Sequence, residues 1–223
     1  MHTFKTKNYT IISSNKISKD IKSKCAKSYK KNRVFFKTEC KGIKIRIANT
    51  ETEFKKLASK FYQPWVKGVG LKGNFVAIRS PQLYENCYKK HGGTRKFELL
   101  LTHELNHIFA HKLKLYSGPY WFTEGMAMYV AGQVPGKEYT TPFKISADSL
   151  FYRLDMKKLR ADMYGMQYLA VKELISRYGK LKLLKLIRLY RKGMKKAEYE
   201  RKFKSIYGVS YEWFIENLLK KLS

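Results

Sequence analysis

The chain has 223 residues, 44% of them hydrophobic, which excludes a wholly disordered protein and allows a core that needs no disulfides. Its 47 Lys and Arg residues outnumber 17 Asp and Glu, and the net charge of +30 favours anionic partners such as nucleic acid or an anionic surface. The sequence shows neither a secretory signal nor the roughly 20 apolar residues of a membrane span, so we expect a cytoplasmic protein without a transmembrane segment.

The basic residues are concentrated in the two flanks of the chain. Residues 1–46 contain 14 Lys and Arg against two acids, and residues 172–223 contain 15 against five. Residues 98–171 are nearly balanced, with eight against seven. The flanks therefore predict contact with an anionic partner, and a merely solvated lysine-rich surface is the alternative.

Three cysteines, Cys25, Cys40 and Cys87, are too few and too irregularly spaced for a disulfide framework or a metal or redox motif. We expect reduced, partly buried thiols.

The first part of the chain predicts alternating strands and helices. Ile43, Ile45 and Ile47 alternate with basic residues, which is the pattern of a half-buried strand. Thr50 followed by Glu53 is a capping-box signal that starts a helix. The predicted strands cover residues 9–13, 43–47 and 74–80, the predicted helices cover 16–37 and 50–61, and 63–73 is predicted as a glycine-rich loop.

The second part predicts helices. Thr94 can begin a helix that runs to about residue 115, and Thr123 can cap a shorter one that ends at Ala131 before Gly132. Residues 133–147 are predicted as a loop. The remaining predicted helices cover residues 157–178, 180–192, 195–206 and 210–222.

The segment HELNH at residues 103–107 has the pattern HExxH within a predicted helix. His103 and His107 lie four residues apart and so on one helix face, where both imidazoles can reach one metal ion. Glu104, about 100° further round the helix, can contact a water at that ion. Two structural histidines are the alternative, but a deeply apolar helix avoids unpartnered polar groups, and a metal supplies a partner.

HELNH followed by PYWFTEGMAMYVAG resembles the gluzincin zinc metallopeptidases, in particular their compact peptidase MA-like members, over roughly residues 65–180. The resemblance implies one zinc ion per chain, held by His103, His107 and Glu124. It implies Glu104 as the general base in the hydrolysis of a peptide or protein substrate. Two imidazoles and one carboxylate leave a fourth position open for water, which is the catalytic pattern for zinc.

The elements and the resemblance together predict an α+β, zincin-like fold. Residues 1–117 would form an N-terminal subdomain with a small mixed sheet and the active-site helix. Residues 118–223 would form a helical subdomain that carries the third ligand. The two would make one catalytic unit with the active-site cleft between them.

The resemblance also implies a group that stabilises the oxyanion and a strand that binds substrate. Tyr164 is expected to be the oxyanion stabiliser, with Tyr168 and Tyr129 as alternatives. The strand within residues 73–80 is expected to be the edge strand that binds an extended peptide, and an interior strand is the alternative. Met128 stands where some gluzincins have an acid that orients a histidine ligand, so another group must orient it here.

A different zincin class, with a third histidine six residues after the second, does not fit. Leu113 occupies that position. His111 lies about 12 Å along the helix from His103, too far to share the ion comfortably, and is expected to lie at the surface or beside the site.

A second function from a different class rests on charge. Tyrosine and phenylalanine are interleaved with Lys and Arg in residues 188–192 and 199–204. This pattern predicts a nucleic-acid- or anionic-surface-binding protein whose zinc site is vestigial or structural.

Overall fold

The structure is a computed structural model that describes residues 1–71, 73–88, 93–113, 120–135, 161–190 and 194–221. It divides into two compact units, Met1–Phe109 and Ala110–Ser223. The described part contains helices and one mixed sheet, which confirms the predicted α+β class.

The sheet of the first unit has five strands in the order β1-β2-β3-β5-β4. The strands are β1 (His2–Lys5), β2 (Tyr9–Ser13), β3 (Ile43–Ala48), β4 (Gly68–Leu71) and β5 (Phe75–Arg79). β2, β3 and β5 run parallel to their neighbours in that group, while β1 and β4 pair antiparallel at the two edges.

The helices of the first unit are α1 (Lys19–Phe36), α2 (Glu51–Ala58), α3 (Pro81–Tyr88) and α4 (Gly93–Lys112), and a single 3-10 turn, Ser59–Phe61, follows α2. The second unit contains α5 (Tyr120–Ala131), α6 (Ala161–Tyr178), α7 (Lys180–Leu189), α8 (Lys196–Tyr207) and α9 (Tyr211–Lys220), and the unit boundary falls within α4. No helix of the described segments is long and apolar enough to cross a membrane.

The two faces of the sheet are covered by different helices. On one face, Tyr9 of β2 packs against Tyr29 of α1, whose ring in turn contacts Phe109 of α4. On the other face, α2 and α3 pack at the end formed by β3, β5 and β4. The core cluster at that end contains Ala48, Phe54, Ala58, Val69, Ala77 and Leu83. Helix α4, which carries HELNH, is therefore anchored on the sheet of its own unit.

The strand predicted at the sheet edge is an interior strand. β5 lies between β3 and β4, and Gly68–Leu71 forms the edge instead. The prediction was wrong because residues 68–71 contain two glycines and lack the apolar alternation that marks a strand. Backbone pairing with β5, a tertiary contact, makes this segment a strand.

Two helices of the first unit begin after a residue whose hydroxyl caps the first turn. Thr50 accepts a hydrogen bond from the Glu53 amide, as predicted. Helix α1 begins after Ser18, whose hydroxyl accepts from Ile21, and so starts three residues later than predicted. Thr123 was wrongly predicted as a cap, since α5 begins at Tyr120 and Thr123 lies inside it.

Several predicted boundaries move by a few residues. Helix α4 ends at Lys112, and residues 114–119 are outside the described residues. The loop predicted over 133–147 is described only to residue 135, and the helix predicted from 157 is described from 161. The segments β1 and α3 were not predicted, and β1 is a four-residue, mostly exposed edge strand with little apolar signal.

The second unit packs its helices through aromatic side chains and one glycine. Tyr199 of α8 is fully buried and contacts the rings of Phe203 and Tyr211. Gly125 of α5 lies directly against α6, because a Cβ there would stand 2.3 Å from the carbonyl oxygen of Gln167. Only glycine allows that approach of the two backbones, so α5 and α6 form a close pair.

Candidate metal centre

Helix α4 places the two histidines of HELNH on one face. The ring centroids of His103 and His107 are 4.9 Å apart, with an angle of 78° between the ring planes. Both side chains are partly exposed, although their neighbours Leu105, Asn106 and Ile108 are buried. The histidine face is thus the part of this segment that is open to a ligand.

Glu124 on α5 completes a group of three donors. One ligand atom from each of His103, His107 and Glu124 lies within 4.8 Å of the other two. Tetrahedral zinc with bonds near 2.0–2.1 Å needs donor atoms about 3.4 Å apart, so the side chains need to move inward by about 1.4 Å at most. Side-chain rotation supplies such a movement, and two imidazoles with a carboxylate are a zinc donor set. The residues present therefore fit the ion that the sequence predicts.

Glu104 lies beside this group but is not a member of it. It is 7% exposed, and its side chain is directed toward β4. An added Cβ on Gly68 would lie 3.0 Å from the Cγ of Glu104 and 3.1 Å from its Oε1. The carboxylate therefore lies between its own helix and the edge strand, where the strand backbone limits its movement.

The two glycines of β4 are site residues that sequence reasoning missed. A Cβ on Gly70 would stand 2.6 Å from the carbonyl oxygen of Glu104 and 3.2 Å from the Cβ of His107. The signal was present as two glycines in alternate positions, Gly68 and Gly70, which share one face of a strand. Their meaning depends on the helix that packs there, and the sequence alone does not show that contact.

An ion pair between a buried arginine and a partly exposed glutamate contacts the segment that leads into β4. The Arg79 side chain is 1% exposed, and its Nε and Nη2 donate to the two carboxylate oxygens of Glu51, at 2.9 and 2.5 Å. Its Nη1 donates to the carbonyl oxygen of Val66, two residues before β4. The hydrogen bond from Arg79 lowers the pKa of the Glu51 carboxyl. The guanidinium therefore links α2, β5 and the start of the edge strand.

The remaining sequence candidates occupy different surroundings. Tyr164 lies in the first turn of α6 with 36% of its surface exposed. Tyr168 is 7% exposed and packs against Tyr129 at a centroid distance of 6.3 Å, an arrangement typical of core tyrosines. His111 is partly buried and is not among the three grouped ligand residues.

The three cysteines are unlinked, as predicted. Cys25 and Cys40 are buried and Cys87 is exposed. Burial raises the pKa of Cys25 to about 12, so its thiol is a packing group at neutral pH.

The chain matches no protein-family model and no curated protein sequence.

Proposed function

We propose that this protein is a zinc-dependent metallopeptidase of the gluzincin type, with a zincin-like fold. The observation that carries the proposal is the grouping of one atom each from His103, His107 and Glu124 within 4.8 Å. Further support comes from the arrangement of HELNH on α4, with a Glu-Gly pair on the next helix, α5. His103, His107 and Glu124 would hold the ion.

The chemistry divides between the ion and the chain. When bound, zinc would polarise the scissile carbonyl and make a water molecule more acidic. Glu104 would accept the proton of the attacking water and deliver it to the leaving amine. Its position against Gly68 supports this role, because a general base needs a fixed carboxylate. Tyr164 would donate a hydrogen bond to the developing oxyanion.

The edge strand offers a way to hold the substrate. Within the described residues β4 has a sheet neighbour on one side only, β5, so the other side of its backbone can pair with an extended peptide. Gly68 and Gly70 of that strand adjoin Glu104 and His107. A peptide added there would pass beside the proposed base. The substrate-binding strand would therefore be β4, in place of the strand predicted within residues 73–80.

Metal content tests the proposal. Elemental analysis by mass spectrometry should find about one zinc ion per chain in the purified wild-type protein. Zinc should be lost in both His103→Ala and Glu124→Ala. Glu104→Gln should retain zinc and lose hydrolysis of a peptide library. His2→Ala is the control, because His2 lies in β1 and is not among the grouped ligand residues. A wild-type protein that takes up no zinc, even on reconstitution, would refute the proposal.

A second candidate function is nucleic-acid binding, favoured by one specific surface. The strand register puts Lys5, Lys44 and Arg46 on one face of the sheet, where Lys5 and Lys44 are exposed and Arg46 is partly exposed. Among the described residues, none of the three has a carboxylate within ion-pair distance. Three unneutralised cations on one face complement a phosphate backbone.

Salt dependence tests the second candidate. Binding of a single-stranded DNA oligonucleotide should weaken steeply between low and high salt, and Lys5→Glu with Lys44→Glu should reduce the salt slope by about two. Lys56→Glu with Lys60→Glu, at exposed positions in α2 and the turn after it, is the matched control of equal charge change. Binding that is independent of salt, or equally reduced in the control, would exclude this surface.

A further inference from the structure

A cluster of buried polar side chains joins α1 to α4. Ser28 and Asn32 of α1 meet Thr102 and Asn106 of α4, and all four are completely buried. We refer to these four residues as the polar ladder. The amide of Asn106 donates to Oδ1 of Asn32 at 3.0 Å, and the amide of Asn32 donates to the Thr102 carbonyl oxygen at 2.9 Å. The hydroxyl oxygens of Thr102 and Ser28 are 2.9 Å apart.

The ladder is not the arrangement that best stabilises two packed helices. Burying polar groups costs free energy, and apolar side chains of the same shape would often hold the helices as well or better. Oδ1 of Asn106 has no hydrogen-bond partner among the described residues, which adds to the cost. Hydrogen bonds are directional, however, and a buried asparagine pair selects one register and one rotation where apolar packing tolerates several. The ladder therefore contributes specificity of arrangement.

The rotation of α4 that the polar ladder selects also sets the direction of its two histidine side chains. At about 100° per residue, Thr102 and Asn106 form a stripe one step from the stripe of His103 and His107. On the opposite flank, Gly70 contacts the backbone of Glu104. Helix α4 is thus held on both sides of the histidine face, by the ladder of α1 and by the glycine strand β4.

Small rotations of α4 have large effects at the ligand atoms. An atom about 6 Å from the helix axis moves by about 2 Å when the helix rotates by about 20°. Metal sites tolerate deviations of about 0.2 Å in ligand distance. Side-chain rotation absorbs part of such a shift, but a helix free to rotate must lose that freedom when the ion binds, and this entropic cost lowers the zinc affinity.

We propose that Asn32 and Asn106 are positioning residues that set the rotation of α4 about its axis and so direct the imidazoles of His103 and His107 at one ion. This inference rests on the proposed zinc site. It assigns a role in the site to helix α1, which lies in the basic N-terminal flank outside the motif-bearing segment. Neither residue touches the ion, and both act through the helix that carries its ligands.

The experiment uses the whole chain with Asn32→Leu or Asn106→Leu, which keeps the branched side-chain shape and removes the hydrogen bonds. Zinc affinity is measured by chelator competition, and coordination geometry by the visible absorption of the cobalt-loaded protein. We expect zinc affinity to fall 10- to 100-fold, as for groups that orient metal ligands, and the cobalt bands to change in position or intensity. Ile108→Val, a buried packing change on α4, is the control and should leave the cobalt spectrum unchanged.

The outcomes separate the two proposals. Wild-type zinc affinity and an unchanged cobalt spectrum in both asparagine variants would overturn the positioning role and leave the zinc site standing. A wild-type protein that binds neither metal would refute both. If a leucine variant does not fold, Asn106→Ala removes the hydrogen bond to Asn32 without introducing a bulkier side chain. A measurable loss of zinc affinity and a spectral change in this variant support the role, and wild-type values contradict it.

Discussion

The Cβ that Gly70 lacks would stand 2.6 Å from the carbonyl oxygen of Glu104. This contact joins the edge strand of the sheet to the helix that carries HELNH, and it is made by backbone atoms on the helix side. Because a helix carbonyl cannot move without its turn, the contact determines how closely β4 approaches the proposed base.

Gly70→Ala is expected to destabilise the protein by about 2 kcal/mol, because overpacking against a fixed backbone atom costs about 1–3 kcal/mol. The backbone entropy that Ala saves offsets only part of this cost. Chemical denaturation of the metal-free protein measures the change. A free energy of unfolding equal to that of the wild type would show that β4 is not packed on α4 as described.

Gly68→Ala is expected to lower activity while changing stability little. Its Cβ would meet side-chain atoms of Glu104 at 3.0–3.3 Å, and a side chain can rotate away. The free energy of unfolding should change by less than about 1 kcal/mol, whereas peptide hydrolysis should fall because the carboxylate is displaced. Zinc content should stay at the wild-type level. Loss of zinc together with hydrolysis would mean that the variant disturbs the ligands as well as the base.

Gly125→Ala is expected to separate α5 from α6. Ala is intrinsically better than Gly in a helix by about 1 kcal/mol, but a Cβ 2.3 Å from the Gln167 carbonyl oxygen should cost about 3 kcal/mol. The expected net loss is about 2 kcal/mol, measured by denaturant unfolding. Lys172→Ala, at an exposed position of α6, is the control and should change stability by less than about 0.5 kcal/mol. A stabilised Gly125→Ala variant would contradict the close packing of the two helices.

The Arg79–Glu51 pair predicts a dependence of stability on pH. The pKa of Glu51 is lowered in the folded state by the hydrogen bond from Arg79, so folding favours its ionised form. The contribution is complete above the ordinary glutamate pKa of about 4.3 and is lost as the pH falls below it, through the lowered folded-state pKa.

Glu51→Gln should therefore cost about 2 kcal/mol at pH 7 and progressively less toward pH 3. The size follows from hydrogen bonds to a charged group, and the 39% exposure of Glu51 keeps the cost below that of a fully buried pair. Unfolding curves at several pH values measure the difference in free energy of unfolding between the wild type and the variant. The control is Glu39→Gln, whose partner Arg33 is also exposed, and it should cost less than about 0.5 kcal/mol. A stability difference that stays constant with pH would show that ionisation of Glu51 does not cause it.

Thiol labelling checks the burial of the cysteines. One thiol, Cys87, should react with a disulfide reagent in the native protein, and all three should react in denaturant. Cys87→Ser should abolish the native reaction. Rapid native labelling of Cys25 would show that the contact between α1 and the sheet opens readily.

Sequence reasoning predicted the elements whose signals are local. The alternating isoleucines of β3, the Thr50 cap of α2 and the HELNH spacing on α4 need only the residues around them, because strand alternation, capping and helix periodicity are short-range effects. The three proposed ligands were also named from sequence, by the spacing of the two histidines and by resemblance for Glu124. Their grouping in space required the structure.

Tertiary structure decided the features that depend on what packs against a residue. Gly68–Leu71 has little strand signal of its own and became the edge strand through pairing with β5, which moved the predicted edge from residues 73–80. The glycines gain their meaning from the backbone of α4, and Asn32 gains its partner Asn106 across 74 residues of sequence. The sequence by itself therefore determined the α+β class and the spacing of the two candidate histidines, because these depend on local periodicity, and the family resemblance supplied Glu124 and Glu104 as candidates. The edge of the sheet and the contacts that hold α4 came only from the fold, because long-range packing has no local signature.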